Sequence, residues 1–310
     1  MTILNIAIKE LESGIKTKRF YGILVLFGAL TALYTRVMYN FALLSLSKAF
    51  VTPFQHLFFS AVEQPFVYSL TLIALLLGVT SINSEIEKGT IKILYSKPIY
   101  RDTILLGKFV GGFLILAISV GIFYLIAIGL ALIVGVPITG YDATRLLTIY
   151  ILSILYGLAI YSLGMLFSTL IKSQRNGIIA GIVLFLVFVI VIPMIIAPIV
   201  AFVIAGPPNF ASDSTEWLEK YSSTILMIDS LTPVYHYQEI MNMVYGQKPQ
   251  EEIMEQLPLL MENETEFKVV EERPIIEGFK MCLNNIVAVL VTLFVSLGLS
   301  YYKFANMDLR

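Results

Sequence analysis

Cysteine is almost absent from this chain: Cys282 stands alone among 310 residues. One thiol builds neither a disulfide framework nor a thiolate metal cluster. Charge is scarce as well. Asp, Glu, Lys and Arg make up 14% of the residues, against about 25% in an ordinary soluble domain. A formal net charge of −1 says nothing by itself about nucleic acid, and nothing in the sequence suggests a basic face. The two histidines, His56 and His236, lie far apart and outside any HExxH pattern, so no zinc or serine–histidine site is expected. No GxxxxGK[ST] stretch occurs. Gly107-Lys108 lacks the upstream glycine and the following hydroxyl, so the chain does not cradle nucleotide phosphates in that way.

What the chain has in excess is apolar sequence: 57% hydrophobic residues, with a mean hydropathy of +0.83. Crossing about 30 Å of hydrocarbon takes about 20 apolar residues in a helix. Six runs are candidates, at 20–34, 66–82, 109–136, 146–171, 178–205 and 286–304; the first is the shortest and is expected to extend by a turn at either end. The expected fold is therefore all-α and polytopic, with six transmembrane helices. The fifth run would be about 42 Å long as one straight helix at about 1.5 Å per residue. It also carries Pro193 and Pro198, each of which removes a helix hydrogen bond, so a break or re-entrant turn is expected there. A cleaved leader is not expected, because the first run starts only after Lys9, Lys16, Lys18 and Arg19, with no small-residue cleavage pattern behind it.

Lysine and arginine orient the runs. An inside amino terminus gathers Lys9, Lys16, Lys18, Arg19, Lys88, Lys92, Lys97, Arg101, Lys108, Lys172, Arg175, Lys303 and Arg310 on one side, against Arg36, Lys48 and Arg145 on the other. The positive-inside rule then puts both termini in the cytoplasm. Residues 1–19 predict an amphipathic helix lying along the inner membrane surface. Residues 206–280 predict a mostly helical, acidic extracytoplasmic cap, and 281–310 the last span with a short tail.

The polar stretch between the second and third runs is the most distinctive. Ser84 and Glu87 have capping-box spacing. Ile86, Thr90, Ile93 and Leu94 follow at helical intervals, and Pro98 ends the element. A short cytoplasmic amphipathic helix is expected at 84–97, either docked on a partner or resting on lipid headgroups. The six runs hold no Asp, Glu or His, which argues against a proton- or sodium-coupled carrier and leaves the energy to a partner. Small residues recur at packing intervals, at Gly107 and Gly111, Ser153 and Gly157, and Gly177 and Gly181. They read as sites of close helix approach.

Several of these pieces together resemble a known family. EIEKGTIKILYSKPIYRDTILLGKFVG at 85–111 is similar to the permease subunits of type-2 ABC exporters. Their pattern there is a glutamate, Gly-Thr, a leucine-rich turn, Ser-x-Pro, an arginine and Gly-Lys-Phe. LFSTLIKSQRNG at 166–177 resembles that family's turn between the fourth and fifth spans. LTPVYHYQEI at 231–240 resembles the subset that includes the permease for nitrous-oxide-reductase maturation.

The resemblance implies a plasma-membrane permease working as a dimer, with a second copy or a homologous permease. It implies separate ABC ATPase subunits that bind ATP and Mg, so this chain itself binds no cofactor and no metal. Glu85, Ile86, Glu87, Gly89, Thr90, Ile93, Leu94, Pro98 and Arg101 would form the ATPase-coupling element, with Glu85, Glu87, Lys88 and Lys92 as its polar rim. Lys9, Glu10, Lys16 and Arg19 would belong to the connecting helix. Two readings from other classes stand beside it: a polytopic enzyme acting on lipid, and a non-transporting membrane scaffold.

Overall fold

The computed structural model describes residues 2–45, 52–87, 89, 101–207, 214–247 and 274–307. Among them the chain is helical throughout, and no β-strand is present. Six helical stretches are long and apolar enough to cross a membrane. The amino-terminal α1 (Ile3–Ile15) precedes α2 (Lys18–Ser45), which carries the first stretch. The second is a run of α3 (Pro53–Leu57), a π-helical turn (Phe58–Val62), α4 (Glu63–Thr80) and α5 (Asn83–Glu87). The third is α6 (Arg101–Ile133) and the fourth α7 (Gly140–Leu170). The fifth joins α8 (Gln174–Leu186), a π-helical segment (Val187–Ile196) and α9 (Ala197–Ala205). Then come α10 (Ser214–Asp229), α11 (Pro233–Val244), α12 (Ile275–Met281) and the sixth stretch, α13 (Leu283–Ala305).

Local chemistry fixes several starts. α3 and α11 both begin with Thr-Pro. Thr52 Oγ1 accepts from the Gln55 backbone N–H at 3.0 Å, and Thr232 Oγ1 accepts from that of Tyr235 at 3.2 Å. Proline at the first helical position costs nothing, because that N–H is unpaired in any helix. α7 opens with a capping box. The Thr139 N–H donates to Asp142 Oδ2 at 2.9 Å, and the Asp142 N–H donates to Thr139 Oγ1 at 3.3 Å. Thr52 Oγ1 also donates to Asp142 Oδ1 at 2.6 Å, which ties the start of α3 to that of α7.

The core is α4, which packs against α2, α6, α7 and α8. Phe27, Phe66 and Phe123 meet between α2, α4 and α6, with the Phe27 and Phe123 rings 4.5 Å apart. α4 and α7 touch backbone to backbone where Gly78 faces Gly164. α1 lies along α6, and Arg101 at the start of α6 donates to the carbonyls of Phe304, Ala305 and Met307. The amino-terminal helix and the end of α13 therefore share one end of the bundle.

Three expectations need correction. The helices reach beyond the apolar runs, so the spanning stretches do contain ionisable residues: Glu63, Lys108, Asp142 and Arg145 are all buried in them. The exclusion of ion coupling drawn from their absence loses its premise. Second, the fifth stretch does not break at its prolines. Gln174–Ala205 is continuous, and the Ala197 N–H donates to the carbonyl of Ile192, five residues back. The π-helical register carries the chain past Pro193, while Pro198 sits in the first turn of α9, where it needs no partner. Third, α10 and α11 are not a cap set on the end. α10 packs along α9 and the π-helical segment, and α11 lies against α7 and α13. Tyr237 stacks on Tyr156 at 4.2 Å and shares a hydrogen bond with Ser153, about 20 Å along α7 from its start at about 1.5 Å per residue. The two helices form a hairpin that dips back into the bundle. Most of the acidic part of the 206–280 stretch, residues 248–273, lies outside the described residues.

Candidate functional site: the ion network around Lys108

Lys108 lies two turns into α6 and is only 2% exposed. Its ammonium has three protons to place. Nζ lies 2.8 Å from Glu10 Oε1 on α1, 3.2 Å from Glu85 Oε1 on α5 and 2.7 Å from the Ser81 carbonyl oxygen between α4 and α5. Glu85 also takes Lys9 Nζ of α1 at 3.1 Å. One buried cation thus ties together three elements far apart in sequence. Lys9 is 52% exposed, so its bond adds at most about 1 kcal/mol. The Lys108 contacts are shielded from water and dominate.

α5 is gripped from its other sides too. Ser168 Oγ of α7 accepts from the Ile82 and Asn83 N–H groups, each at 2.9 Å, and so caps the start of α5. Glu87 Oε2 accepts from the Gln174 N–H at 2.5 Å and caps α8, whose own Ser173 side chain makes no capping bond. A carboxylate at a helix amino terminus also meets the positive end of the helix dipole. Asn83 Nδ2 reaches the Ser173 carbonyl at 3.5 Å. The short α5 is therefore bonded to α1, α6, α7 and α8 at once.

Several expected roles shift as a result. Ser84 lies inside α5 and forms no box with Glu87, whose carboxylate turns to α8. Glu85 is buried in the network rather than standing on a polar rim. Ile86 packs against the core, and Gly89 has φ +68 with nothing within 4 Å of an added Cβ. Thr90, Ile93, Leu94 and Pro98, with Lys88 and Lys92, lie outside the described residues. Arg101 closes the end of α13 instead of facing outward.

On α1, Lys9 and Glu10 join the network, whereas Lys16 pairs with Glu12 at 3.6 Å on the surface. Arg19 falls in the first turn of α2. Gly107 and Gly111 serve α1 rather than another span, since added Cβ atoms would sit 2.7 Å from Ile6 Cβ and 2.6 Å from Glu10 Cβ. Gly177 and Gly181 face Asn83 and Val79. Sequence reasoning used Lys108 in the charge count and in the Gly-Lys-Phe motif but gave it no bonding partner, and it gave Ser81, Ser168, Gly78 and Gly164 no role. A lone lysine two turns into an apolar helix was the available signal. Among the described residues, no group of three or more His, Cys, Asp or Glu is arranged to hold a metal.

The family model described as "ABC-2 family transporter protein" matches residues 4–309. A protein of Stutzerimonas stutzeri described as "Probable ABC transporter permease protein NosY" is 35% identical over 135 residues, which is 43% of this chain and 46% of that protein. The chain thus spans less than half the length of this curated relative.

Proposed function

The chain belongs to the ABC-2 transporter family, and from that premise we propose that it is the membrane-spanning permease subunit of an ATP-driven exporter. It is a multi-pass protein of the cell membrane, with six stretches able to cross it. In this reading the substrate path is framed by two copies, or by this chain and a homologous permease. Separate ATPase subunits dock at the cytoplasmic end that carries α5 and bind the ATP and Mg. The lipid bilayer is the remaining partner.

One observation carries the reading: α5 is bonded to α1 and α6 through Glu85, to α7 through Ser168 and to α8 through Glu87. A push on the element beginning at α5 cannot be absorbed locally, because buried polar bonds pass it on. Lys108 hands it to α6, Glu10 to α1, Ser168 to α7 and Glu87 to α8. Closure of an ATPase dimer against 84–97 would then rock several spans together, as rigid packed elements do in domain switching.

The test replaces Gly89 and Ile93 together with glutamate. Gly89→Ala is the control for backbone strain, because the left-handed region costs a non-glycine residue about 1–2 kcal/mol. The double variant is expected at normal membrane level, with permease-stimulated ATP hydrolysis and transport both reduced tenfold or more. Full partner binding and transport in that variant would overturn the coupling assignment.

A further inference from the structure

Beside the Lys108 network, the turn from α1 into α2 faces α4, α5, α6 and α8 across a cleft of about 430 Å³. Its size falls within the range of about 300–1,000 Å³ typical of small-molecule sites. Glu10 is the one carboxylate among its described lining residues, and within the network Lys9 and Lys108 cancel Glu10 and Glu85. The wall also carries Lys18, exposed and without a hydrogen bond or ion pair to any described residue. The cleft is therefore left with a net positive charge. Two neutral donors on the wall are uncommitted as well. The Ser84 hydroxyl and the Gln174 side-chain amide are half-buried, yet neither bonds to a described residue; of Gln174 only the backbone N–H is used, by Glu87. The hydroxyls of Ser13, Thr17, Thr80 and Ser81, by contrast, donate to carbonyls one turn back. An ammonium, a hydroxyl and an amide around one space suit an anionic group rich in acceptors.

The rest of the wall has the opposite character: Leu77, Ile115 and the ring of Tyr161 give it an apolar side. Position narrows the ligand further. Lys18 stands two residues before the first apolar run, which begins at Phe20, and α1 leaves Leu4 and Ile8 exposed. A lysine so placed holds its ammonium at headgroup level while the apolar chain beside it enters the hydrocarbon. A soluble anion would leave the apolar side of the cleft unused, and a zwitterionic lipid would bring its own cation toward Lys18. We propose that the cleft binds one anionic phospholipid, its phosphate met by Lys18, Ser84 and Gln174 and the start of its acyl chains laid along Leu77 and Ile115. Basic pockets between membrane helices hold acidic headgroups in the same way. The inference concerns binding and holds whether or not the chain transports anything.

Full-length protein, purified in detergent and stripped of lipid, is titrated by native mass spectrometry with phosphatidylglycerol and with phosphatidylcholine of the same acyl chains. The first phosphatidylglycerol should bind about fivefold more tightly than phosphatidylcholine, the scale of one lysine at a membrane surface, and Lys18→Gln should erase that preference. Ser13 is exposed at the cleft wall, so Ser13→Phe fills the space without touching the core and should weaken the binding of both lipids. Lys172→Gln removes the same charge from an exposed residue off the wall and should leave the preference unchanged. Inorganic phosphate, the soluble competitor, should not displace the lipid. Equal affinity for the two lipids, unchanged binding in both Lys18→Gln and Ser13→Phe, an equal loss of preference in Lys172→Gln, or displacement by inorganic phosphate at the lipid's own concentration overturns the proposal.

Discussion

Lys108→Met lowers the unfolding free energy by about 3–5 kcal/mol, the usual cost of removing one partner from a buried ion pair. The loss comes less from the missing attraction than from what stays behind. Glu10 and Glu85 would face each other across a space with no cation of equal burial, and the Ser81 carbonyl would lose its donor. Lys9 cannot substitute, because its half-exposed ammonium already serves Glu85 from the water side. Adding Glu85→Gln should return part of the loss, since neutralising one carboxylate removes the repulsion that the first change creates. Transport should not return with it. The double variant restores charge balance but not the bond from α5 to α6. Thermal melting of the purified protein and ATP-driven transport in vesicles read the two effects separately. If Lys108→Met alone melts with the wild type and transports normally, the network neither holds the bundle nor passes a push from α5 to α6.

Gly78→Ala is the second large effect, and it decides between two opposing terms. Alanine is the better helix former by about 1 kcal/mol. At Gly78, however, the new Cβ would stand 2.4 Å from the Tyr161 carbonyl oxygen, 2.9 Å from Gly164 Cα and 3.0 Å from Met165 N. All three are backbone atoms with no rotamer to escape into, so α4 and α7 must separate. Overpacking of this kind costs about 1–3 kcal/mol or more. A net loss is expected, and a larger one for Gly78→Leu. Gly129→Ala has nothing within 4 Å of its new Cβ and should be neutral or slightly stabilising. Melting temperatures of the three variants in one detergent check the order. The reverse ranking would show that the α4–α7 contact is looser than its atoms indicate.

The six spanning stretches were legible because run length alone reports them. Their ends were not. Hydropathy stops at the first charge, whereas Lys108 and Asp142 stay inside helices by finding partners across the bundle. Those partners are remote: Glu10 lies 98 residues from Lys108, and Lys9 lies 76 from Glu85. No local pattern encodes such a pairing. The Ser84–Glu87 spacing fitted a capping box, yet α5 follows α4 so closely that Ser168 caps its start and leaves Glu87 to cap α8. The small-residue spacing at Gly107 and Gly111 correctly signalled close approach but could not say to what, and the answer was α1. Proline 193 read as a break because an α-helical register was assumed; one π-helical segment removes the conflict. The α10–α11 hairpin was hidden for a different reason. Its stretch is too polar to count as a span, and it is carried into the bundle by the Tyr237–Tyr156 stack and the polar partners around it.

Everything mechanical here requires the end carrying α5 to face the compartment that holds the ATPase. A cysteine placed at Gly89, two residues past the end of α5, reads this in cells treated with a membrane-impermeant maleimide. Native Cys282 is buried, and that burial pushes its thiol up to about 11, so it adds little background at neutral pH. Gly89→Cys should resist the reagent in intact cells, react once it is admitted to the cytoplasmic face, and react more slowly with an ATPase subunit bound. Ready modification from outside intact cells would put α5 on the wrong side of the membrane and contradict the coupling mechanism.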